Sequence, residues 1–337
     1  MTALAQYLSV FLLEHLPNER KASLNTCEAY AYSLQLLVCY AAAQLKVKPS
    51  QLQIEQLDAP LILSFLKHIE SERANSARTR NARLAAINSF FRFLEYRLPS
   101  CLEQSRQIHA IPVKKVDEPL VAYLTRDEMQ ALLDAPDPRT RSGIRDRAML
   151  YLAFAAGLRV SELTSLRLDQ LDDQACSSIR VLGKGRRERI LPLWKETARA
   201  LKAWLVSRRH DRAPELFINA VGHAMTRAGF AHILAKHVAA AARQQPSITK
   251  KRVTPHVLRR TCAIHTLQAT RDIRKVSLWL GHASLKSTEI YLRADPTEKL
   301  EALTAIAPLV LKRGRFRAPD KLIAMLDELR RPKNYAD

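Results

Sequence analysis

Apolar residues in this 337-residue chain recur every three or four positions, the spacing of one helix face, and with only 8 glycines little interrupts them. Leu4, Leu8, Phe11 and Leu12 form one such stripe and Leu34, Leu37, Val38 and Ala41 a second. Leu61, Phe65, Leu66 and Ile69 form a third, and Leu84, Ile87, Phe90, Phe91 and Leu94 a fourth. Four amphipathic helices in the first 97 residues predict a small helical domain. The pattern lapses from Leu98 to Pro119, through Pro99, Pro112 and the stretch PVKKVDEP, which reads as an interdomain linker.

Beyond it, TRDE at Thr125 to Glu128 reads as a capping box opening a helix, and Ile144 to Ala156 as a helix stopped by Gly157. The period then changes. Two short β-type runs, Ser178 to Leu182 and Arg189 to Leu193, flank Gly183, Lys184 and Gly185, the clearest hairpin in the chain. Further helices are predicted at 195–209, 226–243, 256–269, 272–280 and 287–293, with one more at about 319–330. The expected fold is mainly α with a small antiparallel β element. Its expected divisions are a helical domain over 1–100, a linker over 101–119, a second domain over 120–306 and a basic tail over 307–337.

Lys and Arg number 54 against 33 Asp and Glu, a formal charge of +21, and the excess is not evenly spread. Residues 180–260 hold 19 basic and 4 acidic side chains, so about 80 residues carry +15 of it. A phosphate backbone rewards such concentration, because each neutralised phosphate releases condensed counterions. Net charge alone also allows a solubilising surface or acidic lipids. Arg78, Arg80 and Arg83 open the fourth helix as SARTRNAR, either as a face for DNA or as solvated cations.

The first residues have no basic segment before their apolar stretch, and no apolar run approaches the ~20 residues of a membrane helix. A cytoplasmic protein without membrane partners is expected. Five cysteines, Cys27, Cys39, Cys101, Cys176 and Cys262, are scattered and form no CxxC pair, which argues against a disulfide framework and against a zinc site. They read as ordinary core or near-core thiols. No GxxxxGK[ST] loop and no carboxylate cluster of a two-metal nuclease is present in the sequence.

Four stretches matter together: AGLRVSEL (Ala156 to Leu163), LGKGRRER (Leu182 to Arg189), TPHVLRRT (Thr254 to Thr261) and LGHASLKSTEIYL (Leu280 to Leu292). Singly, each has a mundane explanation. Arg159 could be a surface arginine, Lys184 turn punctuation, His256 a helix cap and Tyr291 a core residue. In this order and at these separations they resemble the tyrosine recombinase (phage integrase) family of site-specific DNA recombinases. Motifs carry the resemblance over about residues 120–300, and the four-helix pattern extends it more weakly over 1–100, like the family's SAM-like core-binding domain.

The resemblance implies a mixed α/β catalytic domain with Arg159, Lys184, His256, Arg259, His282 and Tyr291 as its active set, and Glu162 bracing it. Arg186, Arg187, Lys250, Lys251 and Arg252 join Arg78, Arg80 and Arg83 as expected DNA contacts. Chemistry explains the residue types. Cleaving a phosphodiester without a metal takes a nucleophile, cationic donors for the non-bridging oxygens and an acid for the leaving oxygen. Arg159 and Arg259 suit the clamp, since a guanidinium offers planar bidentate donors and keeps its charge. His282 would add a donor and His256 would handle a proton or orient the phosphate. Lys184 would be the general acid and Tyr291 the nucleophile, leaving a 3′-phosphotyrosyl bond and a free 5′ hydroxyl.

A covalent intermediate conserves the bond energy, so no cofactor is expected. The implied assembly is a homotetramer on two double-stranded recombination sites, exchanging strands through a Holliday junction, with accessory recombinases conceivable. The 46 residues after Tyr291 favour a mobile element over chromosome-dimer resolution, and a helix near 297–306 would dock on a neighbouring protomer. The competing readings are a DNA-relaxing type IB topoisomerase and a non-cutting DNA-binding protein of recombinase descent.

Overall fold

The structure, a computed structural model, describes residues 3–117, 121–172, 176–183, 188–208, 213–282 and 284–294, together with 321–322 and 325–326. Among the described residues the chain is mostly helical with one two-stranded sheet, and it divides into two compact units, Met1–Pro119 and Leu120–Asp337.

In the first unit α1 (Leu4–Val10) runs straight into a π-helical stretch, Phe11–Glu19. Then come α2 (Leu24–Leu45), α3 (Ala59–Ser71) and α4 (Ala77–Glu95). Side-chain caps set where these begin: Ser23 accepts from Thr26 N, Asp58 from Leu61 N and Ser76 from Thr79 N. The four stripes read from the sequence meet in one core. Its centre is aromatic, with Phe11 5.3 Å from both Phe90 and Phe93 between ring centroids.

The expected linker is in part a helix. After a 3-10 turn at Pro99–Cys101, α5 (Leu102–His109) packs on α3 and α4 and buries Cys101, Ile108 and Ile111 in the same core. Gln104 Nε2 donates to the carbonyls of Ile54 and Leu57, at 2.8 and 3.0 Å. The segment that follows is tied down as well. Asn81 exchanges hydrogen bonds with the backbone of Lys114 at 2.8 and 3.1 Å, and the Lys114 amine pairs with Glu70 at 2.8 Å. The apolar residues here are too few and irregular to show a period, and their order comes from the surface they cover.

In the second unit α6 (Arg126–Asp134) opens with the expected capping box. Thr125 Oγ1 accepts from Glu128 N at 3.2 Å, and the Glu128 carboxylate from Thr125 N at 2.8 Å. Next is α7 (Arg141–Ala155), whose residues from Ala148 to Ala155 are all buried, making it the central helix against which α9 and α11 pack. A short α8 (Val160–Thr164) leads to the hairpin of β1 (Ser178–Leu182) and β2 (Glu188–Pro192). Its register pairs Ser178 with Pro192 and Leu182 with Glu188, so β2 starts one residue earlier than its apolar pattern indicates.

The remaining helices are α9 (Lys195–Ser207), α10 (Arg227–Ala241), α11 (Pro255–Thr270), α12 (Ile273–Leu280) and α13 (Glu289–Ala294). Two polar pairs cross-link this unit: His237 Nε2 of α10 lies 2.9 Å from Asp146 Oδ2 of α7 with both residues buried, and Lys251 pairs with the buried Glu128 of α6 at 2.5 Å. None of the five cysteines forms a disulfide. Cys101, Cys176 and Cys262 are buried, whereas Cys39 is exposed, outside the core role expected of it. The segment 297–306 lies outside the described residues, as does most of the expected helix at 319–330, of which 321–322 and 325–326 are described and helical. Among the described residues no helix is long and apolar enough to cross a membrane.

Candidate active site

Two helices of the second unit, α7 and α12, end the same way, and those ends build the site. Gly157 (φ +56°) and Gly281 (φ +63°) take the left-handed conformation that closes a helix, where a side chain would be strained. Both are also closely approached by neighbouring side chains. A Cβ on Gly157 would stand 2.7 Å from Leu280 Cδ2, and one on Gly281 would stand 3.0 Å from Arg189 Cδ and Nη1. The turns deliver Arg159 and His282 to a common place.

Arg259 on α11 joins the two ends. Its Nη1 donates to the Gly157 carbonyl at 2.6 Å and its Nη2 to the Leu280 carbonyl at 2.8 Å. A cation at two helix C-termini meets carbonyls that lack intrahelical partners and the negative ends of both dipoles. Burial, then Arg159, pushes the Arg259 guanidinium down to about 10, which leaves it cationic at neutral pH. It is only 5% exposed, and two of its five N–H groups are spent on backbone, so three remain for an anion.

Glu162 stands among the arginines. At the third position of α8 it caps its own helix, accepting from Arg159 N at 3.0 Å and from Arg159 Nη1 at 2.6 Å. Arg189 Nη2 reaches Oε2, the oxygen that also accepts from Arg159 N, at 2.9 Å, and Arg259 Nη1 lies 3.8 Å from the same atom. Burial alone would raise this carboxyl, but hydrogen bonds from Arg189 and Arg159 reverse the shift and hold it below its ordinary value of 4.5. Three guanidinium groups share one carboxylate, an excess of positive charge suited to an anion.

Because the folded value is depressed, these pairs stabilise the protein at neutral pH, and the stabilisation is lost as pH falls from 4.5 through that lower value. Glu162→Gln should therefore destabilise the protein at pH 7, by about 3–5 kcal/mol as for a broken buried pair. The variant should then lose less further stability on acidification than the parent. Denaturant melts at pH 7 and pH 4 measure both, and parallel pH dependences would refute the assignment.

His282 is half-buried, with Nδ1 2.8 Å from Thr288 Oγ1, and its ring stacks on that of Tyr291 at 6.4 Å between centroids. Burial, with Arg259, Arg159 and Arg189 nearby, pushes it down to about 4, so it is neutral at physiological pH. Tyr291 on α13 is 4% exposed, packed with Ala263, Ile264 and Leu280. Burial raises its phenol, while Arg259 pulls the other way, toward the phenolate. His256, at the second position of α11, is exposed one turn ahead of Arg259. Among the described residues no cluster of His, Cys, Asp or Glu could hold a metal.

The structure thus brings Arg159, Glu162, Arg259, His282 and Tyr291 together from three of the four stretches. Lys184, Arg186 and Arg187 lie outside the described residues. Of the expected DNA contacts, Arg78, Lys250 and Arg252 are exposed. Arg80 departs from expectation: it is 3% exposed and its Nη1 donates to the Pro112 carbonyl at 2.7 Å, so it fastens the end of its own domain. Arg83 is likewise engaged, donating to Ser33 Oγ at 2.8 Å and lying over the Tyr32 ring. Lys251 is paired to the buried Glu128.

Arg189 stands beside Glu162 in the site although the sequence reading gives it no role within the LGKGRRER stretch that it ends. The available signal is a charged residue on the same strand face as buried Leu191, while Ile190 between them faces outward. Thr288 is a second such residue, and nothing in its local sequence marks it.

Comparison with known proteins identifies the class. Residues 122–298 match the phage integrase family, and residues 11–97 match the phage integrase N-terminal SAM-like domain. The chain belongs to the phage integrase family and is a tyrosine recombinase, an enzyme that cleaves and rejoins DNA strands. By sequence it is 41% identical over 327 residues to a candidate integrase/recombinase, y4rC, of Sinorhizobium fredii, covering 97% of this chain and 98% of that protein. It is 34% identical over 309 residues to the tyrosine recombinase XerC of Pelobacter propionicus, covering 91% and 97%.

Among solved structures, the fold is shared with XerH site-specific recombinase bound to its difH substrate, with a TM-score of 0.66 at 22% identity over 88% of this chain and 84% of that one. It is also shared with the Tn1549 transposon integrase in complex with circular intermediate DNA, with a TM-score of 0.66 at 17% identity over 90% and 99%.

Proposed function

We propose that this protein recombines two specific DNA sites of a mobile element, with Tyr291 as nucleophile and a 3′-phosphotyrosyl intermediate that resolves through a Holliday junction in a homotetramer. The observation that carries this reading is that Arg159 and Arg259 share a single carboxylate, Glu162, and stand close enough to neutral His282 and to the Tyr291 ring stacked on it to act on the protonation of both. Arg159 and Arg259 hold the two non-bridging oxygens as charge grows on them, and His282 supplies a third donor. Tyr291 attacks the phosphorus, its proton leaves with the help of His256, and the 5′ oxygen departs with a proton from Lys184. A second attack by a 5′ hydroxyl reverses the step on the partner strand, and the net energy of the phosphodiester is retained.

Mobile-element service is favoured by the greater likeness to the Sinorhizobium fredii integrase/recombinase than to XerC. Chromosome-dimer resolution is the second reading, favoured by the XerC likeness over 97% of that protein. Trapping the covalent protein–DNA ends in cells and sequencing them distinguishes the two. Ends at the termini of a mobile element support the proposal, and ends at one chromosomal site support the second reading. Ends scattered through the genome would instead point to DNA relaxation.

The role of Lys184 has its own chemical test. Lys184→Ala should stall cleavage of an ordinary phosphodiester and recover on a 5′-bridging phosphorothiolate, whose leaving group needs no acid. Failure of the sulfur substrate to restore cleavage would remove Lys184 from that role.

A further inference from the structure

His282 has two ring nitrogens, and only one is left for a ligand. Nδ1 faces Thr288 Oγ1 at 2.8 Å, and Thr288 is wholly buried. Nε2 has no partner among the described residues on a ring that keeps part of its surface exposed. Burial and the neighbouring cations keep the imidazole neutral, so it carries a single proton. The hydrogen bond to Thr288 decides which nitrogen holds it.

Two arrangements fit the distance. If Nδ1–H donates to Thr288, Nε2 presents a lone pair, and a lone pair facing a phosphate oxygen repels it. The threonine hydroxyl hydrogen would then be buried without an acceptor, since Oγ1 has no other partner among the described residues, and buried donors are almost always paired. If Thr288 donates to Nδ1 instead, every buried polar hydrogen is satisfied and Nε2 carries the proton. The backbone holds Thr288 firmly in place, because its N–H donates to the Leu285 carbonyl at 2.7 Å and its own carbonyl accepts from Tyr291 N at 3.0 Å. One residue therefore touches both the histidine ring and the turn that starts the Tyr291 helix.

We propose that Thr288 is a positioning residue that donates its hydroxyl hydrogen to Nδ1 and so fixes His282 as the Nε2–H tautomer, the form able to donate to a non-bridging oxygen of the scissile phosphate. The inference rests on the phosphoryl-transfer reading of this site. Its test therefore has one arm that needs no DNA.

In that arm the full chain is labelled with 15N-histidine, and long-range 1H–15N correlation at neutral pH reports which nitrogen of His282 is protonated, the signal being assigned by its loss in His282→Gln. The parent protein should show Nε2–H. Thr288→Val, close in shape but without a hydroxyl, should release that tautomer into a mixture, and Thr288→Ser should retain it. In the second arm, single-turnover adduct formation is followed on a nicked duplex carrying the mapped ends. Thr288→Val should slow it by about 10-fold to 100-fold, toward the range seen when one transition-state donor is lost, and Thr288→Ser should recover most of the rate.

An Nδ1–H signal in the parent overturns the proposal, whatever the variants do. So does an unchanged tautomer, or an unchanged rate, in Thr288→Val. Absence of any adduct from the parent protein would count against the recombinase reading, while the spectrum would still decide the tautomer.

Discussion

Tyr291→Phe should abolish the covalent protein–DNA adduct while leaving the fold and DNA binding in place. The ring is buried among Ala263, Ile264 and Leu280 and stacked on His282, and phenylalanine keeps that packing. Only one oxygen is removed, and it is the atom that would become bonded to phosphorus. Among the described residues of the site the arginines have no lone pair to offer, and in the tautomer proposed above His282 presents an N–H rather than a lone pair. Denaturing electrophoresis of protein incubated with labelled DNA reads the adduct, and a thermal melt with a binding titration reads the rest. An adduct that persists in the phenylalanine variant would move the nucleophile elsewhere.

Arg259→Lys is expected to have the second-largest effect. The guanidinium spans the Gly157 and Leu280 carbonyls and still has donors directed elsewhere, whereas an ammonium is a point charge that cannot bridge both carbonyls and a phosphate. The turns carrying Arg159 and His282 would lose their common tie, so two further donors would be misplaced with the one removed. Cleavage should fall by at least about 10²–10³-fold, the cost of removing one preorganised transition-state donor. Ground-state DNA affinity should change far less, since most phosphate contacts lie outside the site. Arg259→Ala adds instability, with about 1–3 kcal/mol for each backbone carbonyl left unpaired. The lysine variant is therefore the cleaner measurement. Cleavage within threefold of the parent would show that the guanidinium acts only as a structural tie.

The depressed value of His282, about 4, bears on pH dependence. A histidine that ordinarily titrates between pH 6 and 7 will not do so here, so the acidic limb of cleavage in that range cannot be assigned to it. Two of the cations that hold it neutral, Arg259 and Arg159, are the ones proposed to hold the phosphate.

Helix content and the hairpin were legible because each depends on near neighbours, and the candidate constellation because short motifs recur in a set order. A helix announces itself by apolar residues three and four apart, a capping box by Thr125 and Glu128, and a hairpin by two short runs around glycines. His256 and Arg259, three residues apart on one helix, share a side of α11 before any tertiary structure is known. Motif order and separation then singled out Arg159, His282 and Tyr291, which lie far apart in the chain.

What the tertiary structure alone decided concerns long-range partners. Arg80 and Arg78 look alike in SARTRNAR, yet one is buried against the Pro112 carbonyl and the other faces solvent. Leu98 to Pro119 lacks periodicity, but α5 is ordered by the surface of α3 and α4. Arg189 joins the site because β2 places it beside Glu162, 27 positions away, and Thr288 because a 3-10 turn brings its hydroxyl to His282. Local spacing encodes the shape of each segment and points to the candidate reacting groups. Which donor meets which acceptor is settled only when segments pack, because buried polar groups must find partners and those partners come from elsewhere in the chain.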